Sequence, residues 1–175
     1  MNMSSFTDEL KADPANKKYR NTIAIVSEKT NLENIKNEVI GLHTARPSRE
    51  LYKHKMDANK LDNAILRDLS ARARMVELRT NLYVHLEIID TALDAFRDHL
   101  LAKYGDEIKS RANNAEERNA FVRRLSSKGH DLRSQYKVLI QIIDKFIEDI
   151  DKAGYGLTNA KDLLRIMLER PGTTL

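Results

Sequence analysis

The sequence predicts an all-α protein built on a long antiparallel helical hairpin of the coiled-coil type, with short flanking helices and an oligomeric state. Two stretches of the chain repeat apolar residues at alternating spacings of four and three, which keeps these side chains on one face of a helix. The first stretch is Leu82, Leu86, Ile89, Leu93, Phe96 and Leu100, and the second is Leu132, Tyr136, Leu139, Ile143, Phe146 and Ile150. The composition also favours helices, because 32% of the residues are charged, 6% are aromatic and only three are prolines.

The first thirty residues, 1–30, are predicted to form a mobile or extended N-terminal arm. They are polar, contain Pro14 and carry the basic cluster Lys17-Lys18-Tyr19-Arg20. A frayed terminus is the expected state of such a segment. The remaining residues, 31–175, are predicted to form a single helical domain.

Four helices are predicted in this domain, at about 31–41, 48–104, 115–152 and 159–169. The first follows Thr30-Asn31-Leu32-Glu33, which has the form of a capping box, and ends before Gly41. The second has no proline or glycine to stop it between Ser48 and Tyr104, and Gly105 is a natural C-cap.

The third helix begins after Asn114, whose side chain can cap it, and acidic residues follow in its first turn. Gly129 lies at a seam position and is expected either to weaken this helix or to mark a close contact. Gly154-Tyr155-Gly156 is predicted to end the third helix, and Pro171 to stop the last one. The short connection 105–114 makes the two long helices antiparallel neighbours.

The apolar stripe between residues 138 and 150 is too wide for one neighbouring helix to cover. A short flanking helix, another subunit or a docked protein is needed to cover the rest. The candidate residues of an oligomer or partner interface are Val138, Ile142, Ile147 and Ile150.

Two basic runs are the candidate nucleic-acid contacts. The first run is Arg67, Arg72, Arg74 and Arg79, and the second is Arg118, Arg123, Arg124 and Lys128. Closely spaced cations can neutralise successive phosphates of a nucleic-acid strand. The net charge of +4 permits such binding without demanding it.

The same basic runs also have a structural explanation. In an antiparallel hairpin the basic segment 44–79 lies beside the acidic segment 138–164, and the acidic segment 84–108 lies beside the basic segment 109–137. Exposed pairs of this kind contribute only about 0.2–1 kcal/mol each, yet together they favour one helix orientation. Both explanations remain open at the level of the sequence.

No pattern in the sequence predicts catalysis, a metal site or a cofactor. Asp90, Asp94 and Asp98 form a column of carboxylates with His99 beside it, but they flank the apolar seam, which is typical of a solvated helix face. The chain contains no cysteine, which excludes disulfide and thiolate chemistry. We therefore expect a protein that is not an enzyme. The sequence shows no secretory signal and no membrane-spanning run, which predicts a cytoplasmic protein or, for a structural role, a virion protein.

Two segments carry a family likeness. A long helix ends in Lys103-Tyr104-Gly105, and the segment Asp149-Ile150-Asp151-Lys152-Ala153-Gly154-Tyr155-Gly156-Leu157 precedes a short helix. With its helical, mildly basic build, the chain resembles the UvsY-type recombination mediators of bacteriophages over about its last two thirds. This resemblance implies a small helical protein that forms rings, binds single-stranded DNA and helps to load a recombinase. It assigns no role to individual residues.

Two hypotheses about function follow from the sequence. The first is a non-enzymatic, oligomeric helical accessory protein that binds nucleic acid, such as a single-stranded-DNA-binding recombination mediator. The alternative is a structural or adaptor protein, either a virion component or a bundle that docks on another protein, including a regulator of a host enzyme. The expected partners are further copies of the chain, single-stranded DNA or another protein, and no membrane.

Overall fold

The computed structural model describes residues 3–46 and 58–169, and within these ranges the chain is all-helical, without strands. The helices are α1 (Met3–Ala12), α2 (Pro14–Lys29), α3 (Leu32–Thr44), α4 (Ala58–Arg111), α5 (Ala115–Leu125) and α6 (Ser127–Glu169). None of these helices is both long and apolar enough to cross a membrane. The predicted all-α class is confirmed for the described part of the chain.

The chain divides into two compact units. The first unit comprises residues 1–32 and 82–138, and the second comprises residues 33–81 and 139–175. The long helices α4 and α6 therefore contribute to both units, α1 and α2 belong to the first, and α3 belongs almost wholly to the second. The single domain predicted over residues 31–175 stays a prediction.

The predicted N-terminal arm requires a correction, because its described residues form the helices α1 and α2. Phe6, Leu10, Tyr19, Ile23 and Val26 recur at helical spacings and are buried in the first unit. Asp13 caps α2, its carboxylate accepting a hydrogen bond from the backbone amide of Ala15 at 2.7 Å, and Pro14 occupies the first helical turn. Burial and capping together stabilise helices that composition alone did not indicate.

Helix α3 extends past its predicted end, continuing through Gly41 to Thr44. The hydroxyl of Thr30 lies 2.8 Å from Nδ1 of His85 in the first unit, and the predicted capping box stays a prediction. In the second unit the ring of His43 stacks on Phe146 with centroids 3.9 Å apart. Helix α3 is therefore one of the elements that cover the wide apolar stripe of α6.

Helix α4 also extends beyond the predicted range. The predicted start at Ser48 lies outside the described residues, and the predicted end at Gly105 is passed, because the helix runs to Arg111. Within the described range, its backbone departs from helical geometry at Tyr104, with φ −114° and ψ 16°. Ile108 is fully buried one turn beyond Gly105, and this burial outweighs the weak local preference for a helix end at glycine.

The helix predicted over 115–152 is interrupted at Ser126, where α5 ends and α6 begins. The predicted cap is confirmed, because the Asn114 side chain accepts a hydrogen bond from the Glu117 amide at 2.8 Å. The carbonyl of Ser126 accepts a hydrogen bond from the hydroxyl of Tyr19 on α2 at 2.9 Å. A side chain inserted at a backbone carbonyl is a known cause of helix interruption.

The separate last helix predicted over 159–169 is also wrong, because α6 continues through Gly154 and Gly156 to Glu169. Leu157 is buried in the second unit in a cluster with Leu61 and Ala64 of α4. Burying a leucine side chain contributes about 2 kcal/mol, enough to offset the cost of the two helical glycines, which is about 0.5–1 kcal/mol each.

Candidate nucleic-acid interface

The first basic run lies on α4 in the second unit, and three of its four arginines form ion pairs with acids of the same unit. Arg72 pairs with Asp151 at 2.6 Å, Arg74 with Glu38 at 2.7 Å and Arg79 with Asp144 at 2.8 Å. Hydrogen bonding to Asp151 raises the pKa of the Arg72 guanidinium. Arg67 is exposed and forms no ion pair with another described residue.

For Arg72 and Arg79, the partners lie in the acidic segment 138–164, as the structural explanation predicts. Within the second unit, α4 and α6 are joined by Asp62 with Lys161, Arg72 with Asp151, and Arg79 with Asp144. The pairs occur in reverse order along the two helices. The number of residues between one pair and the next is the same on α4 as on α6. Two arginines of the basic segment of α4 therefore have counter-charges on α6, whereas in the pair of Asp62 with Lys161 the acid belongs to α4. In the first unit, Arg133 of α6 likewise contacts Asp90 of α4 at 2.6 Å.

The second basic run lies in the first unit, on α5 and at the start of α6, and its charges are arranged differently. None of Arg118, Arg123, Arg124 and Lys128 forms an ion pair with another described residue. Arg123, Arg124 and Lys128 are exposed, whereas Arg118 is half-buried and its Nε atom has no hydrogen-bond partner among the described residues. Arg123, Arg124 and Lys128 are therefore open to a ligand, whereas Arg72, Arg74 and Arg79 are already paired with carboxylates.

Helix α2 adds two further cations beside Lys128. Lys17 and Arg20 lie three residues apart on α2, are exposed, and form no ion pair within the described chain. Together with Lys128 they line a groove of about 870 Å³ between α2 and the junction of α5 and α6. We call these three cations, together with Arg124, which precedes Lys128 by four residues in the sequence, the basic rim.

The groove between these cations has a mixed lining. Leu10, Ile23 and Leu132 provide apolar surface, while Glu28 and Asp131 contribute two carboxylates beside the basic rim. Sequence reasoning noted the cluster at 17–20 but placed it in an extended arm, so it missed this arrangement. The three-residue spacing of Lys17 and Arg20, read as helical, was the signal that could have indicated a shared face.

The four residues of the predicted partner interface do not form one exposed surface. Val138 is 52% exposed in the first unit, and Ile142 is half-buried in the second. Ile147 and Ile150 are only 6% and 2% exposed, so they belong to the core of the second unit. The interface prediction is therefore wrong for Ile147 and Ile150, because the chain itself buries them.

An apolar groove that sequence reasoning missed lies between α2 and α4 in the first unit. Its volume is about 640 Å³, and its lining includes Ala92, Ala95 and Phe96 together with Val84 and Ile88. The last two side chains are 53% and 41% exposed. They fall outside the heptad seam of α4, so the seam pattern in the sequence does not indicate them.

The carboxylates of the column on α4, Asp90, Asp94 and Asp98, contact arginine side chains. Asp90 contacts Arg133, and Asp94 and Asp98 approach Arg97 at 4.0 and 3.8 Å. Within the described ranges no group of three or more His, Cys, Asp or Glu side chains is placed to hold a metal ion.

Comparisons with known protein families, with curated proteins and with solved structures find no match for this chain. The likeness to UvsY-type mediators thus rests on the sequence features alone, and the candidate interface rests on its own geometry and charge.

Proposed function

We propose that this chain is a non-enzymatic helical accessory protein that binds nucleic acid along its basic rim, Lys17, Arg20, Arg124 and Lys128. The observation that carries the proposal is the contrast between the two basic runs. The cations of the rim have no acidic partner among the described residues, whereas Arg72, Arg74 and Arg79 are paired with acids of their own unit.

Phosphate binding by such a rim is an electrostatic process. Counterions condense on the backbone of a nucleic acid, and unpaired lysine and arginine side chains release these ions when they bind the phosphates. This release favours binding at low salt. A guanidinium already bonded to a carboxylate has to give up that bond first. The reverse order of the ion pairs between α4 and α6 supports the long antiparallel hairpin as scaffold, and the family likeness supports single-stranded DNA, oligomeric assembly and a role in recombination.

The proposal is tested by fluorescence anisotropy with a labelled single-stranded oligonucleotide, titrated at several salt concentrations. In the rim variant, Lys17, Arg20, Arg124 and Lys128 are changed to glutamine. In the control, which removes three positive charges, Arg72, Arg74 and Arg79 are changed to glutamine. Each phosphate contact contributes about 0.7 to the salt slope for a single strand, so the rim variant is expected to lose about 2–3 units of slope and most of its affinity.

The control variant is expected to keep the affinity and the slope while losing stability, since its arginines serve the fold. Circular dichroism shows whether each variant remains helical. Absence of binding by the unaltered chain at low salt, or equal binding by the rim variant, contradicts the proposal.

A second candidate function is that of a structural or adaptor protein, and the apolar groove between α2 and α4 favours it. Exposed Val84 and Ile88 beside small residues offer a helix of another molecule a surface to pack on. Three observations together would favour this function. The chain does not bind oligonucleotides, it self-associates in sedimentation experiments, and it dissociates when Val84 and Ile88 are changed to aspartate.

A further inference from the structure

A cavity of about 390 Å³ lies between α4, α5 and α6 in the first unit. Its lining is rich in cationic and hydrogen-bonding side chains: Arg97 from α4, Asn119 and Arg123 from α5, and His130 and Arg133 from α6. The volume falls near the lower limit for ligand pockets, which suits a small polar group rather than a large organic molecule.

The guanidinium groups that line the cavity differ in their carboxylate partners. Asp90 contacts Arg133 at 2.6 Å, and Asp94 approaches Arg97 only at 4.0 Å. Arg123 forms no ion pair with another described residue. Arg97 is also approached by Asp98 at 3.8 Å, from outside the cavity lining. Arg123 is therefore the one guanidinium of the cavity that has no carboxylate partner among the described residues.

Arg97 and Arg133 contact carboxylates, but these contacts are not well-aligned hydrogen bonds. None of the five cationic or amide side chains that line it donates a hydrogen bond to another described residue. Nε of Arg133 and Oδ1 of Asp90 are close but not aligned, so both buried atoms lack a hydrogen bond. A guanidinium carries five N–H donors in a fork whose geometry matches the oxygens of a phosphate, so these groups are suited to an anion with several acceptor oxygens.

We propose that this cavity binds a phosphate group, held by Arg123, Arg133 and Arg97 with Asn119 as an additional donor. The site is separate from the basic rim. Arg123 lines this cavity, whereas none of the four rim cations does. The proposal therefore does not depend on the proposed function, and either can fail without the other.

His130 links this site to pH. Burial lowers the pKa of its imidazole, Arg123 and Arg133 lower it further, and Asp131 and Asp90 act in the opposite direction. A bound anion favours the protonated ring. Affinity for an anion of constant charge is therefore expected to rise as the pH falls through the pKa of His130.

The test is isothermal titration calorimetry of the full chain with inorganic phosphate at fixed pH and ionic strength. Changing Arg123→Gln removes a donor fork without breaking an ion pair to a described residue, so the fold is expected to persist. The matched control Lys137→Gln removes the same charge at an exposed position of α6 that lines neither groove nor cavity. We expect saturable binding by the unaltered chain and by the control, and binding about tenfold or more weaker in Arg123→Gln.

Absence of saturable binding by the unaltered chain overturns the proposal, and so does equal weakening in both variants. A second measurement covers the case in which Arg123→Gln fails to fold. Inorganic sulfate, which keeps its charge across the neutral range, should bind the unaltered chain more tightly at lower pH, and His130→Gln should abolish this dependence. A pH-independent affinity in the unaltered chain contradicts the site.

Two oligonucleotides distinguish the sources of the phosphate. If the cavity receives the terminal phosphate of a strand, a 5′-phosphorylated oligonucleotide binds more tightly than its 5′-hydroxyl counterpart, and Arg123→Gln removes the difference. If it receives free phosphate, the two oligonucleotides bind alike while the calorimetric signal remains. Either result supports the phosphate site once saturable binding is established.

Discussion

The backbone amide of Gly129 donates a hydrogen bond to the hydroxyl of Tyr19, 3.0 Å away. The same hydroxyl donates its own hydrogen to the carbonyl of Ser126 at 2.9 Å. The ring of Tyr19 stacks on Phe96, with centroids 4.4 Å apart and planes 5° from parallel. One side chain of α2 thus bonds both sides of the junction between α5 and α6 and packs on α4.

Replacing Gly129 by alanine is predicted to destabilise the protein by about 2–3 kcal/mol, because the new methyl group overfills a packed site. The added Cβ would lie 2.5 Å from the hydroxyl oxygen of Tyr19 and 2.9 Å from Cδ2 of Leu93. The matched control is Gly154→Ala on the same helix, where nothing lies within 4 Å. That change should stabilise the protein by about 0.5–1 kcal/mol. Urea unfolding measures both, and a Gly129→Ala protein as stable as the unaltered chain would refute the close contact.

The buried carboxylate of Asp13 makes stability depend on pH. Burial raises its pKa, but hydrogen bonds from Lys103 at 2.7 Å, His99 at 3.1 Å and Tyr104 at 2.9 Å, together with the Ala15 amide, outweigh burial and hold the pKa well below its usual value. The stabilisation is therefore present above the unfolded-state pKa, about 3.9, and is lost as the pH falls toward the folded-state value.

Asp13→Asn is accordingly predicted to cost about 2–4 kcal/mol at neutral pH, since it removes a helix cap and a charged acceptor of several hydrogen bonds. The cost should shrink progressively below a pH of about 4. Urea unfolding across this range gives the comparison, with the exposed Asp8→Asn as control. A cost for Asp13→Asn that does not change with pH would show that the charge of Asp13 is not what stabilises the fold.

In the second unit, Arg46 and Asp68 form a buried ion pair. Two guanidinium nitrogens approach the two carboxylate oxygens at 3.2 and 3.1 Å, and the side chains are 2% and 4% exposed. Arg46→Ala leaves a buried carboxylate without this partner and is predicted to cost about 3–5 kcal/mol. The double change Arg46→Met with Asp68→Leu should cost far less. A double variant as unstable as the sum of its single variants would contradict this account.

The continuation of α6 beyond Gly154 is predicted to depend on Leu157. Leu157 is 3% exposed and packs with Leu61 and Ala64, whereas Leu163 on the same helix is 61% exposed. Leu157→Ala should cost about 2–4 kcal/mol, and Leu163→Ala should change stability by no more than about 0.5 kcal/mol. Thermal unfolding, monitored by circular dichroism, measures the stability of both variants. Similar losses of stability in Leu157→Ala and Leu163→Ala would argue against the packing of Leu157.

The local sequence pattern was sufficient to predict the two apolar seams and the N-cap of α5. All six residues of the first seam are buried, and so are five of the six in the second, with only Phe146 partly exposed. The cap of α5 at Asn114 was also predictable, because its hydrogen bond to Glu117 spans three residues. Such features depend on residues within a few turns of one helix, so local spacings in the sequence, such as the periodicity of apolar residues, predict them directly.

The candidate site was only half predictable. The sequence identified both basic runs, but it could not tell which cations would be paired. Arg72 and Asp151 are 79 residues apart, and Arg79 and Asp144 are 65 apart. Only packing within the second unit brings these groups together.

The sequence by itself determined the all-helical class, the buried seams and the start of α5, because these follow from spacings within single helices. The tertiary structure alone decided that residues 3–12 and 14–29 are helical, that α5 and α6 separate at Ser126 and that α6 continues to Glu169. Each of these depends on a contact between distant segments, such as the bond between Tyr19 and Ser126 across 107 residues. The energies of such contacts match or exceed the local preferences of glycine and of polar segments, so local pattern could not anticipate them.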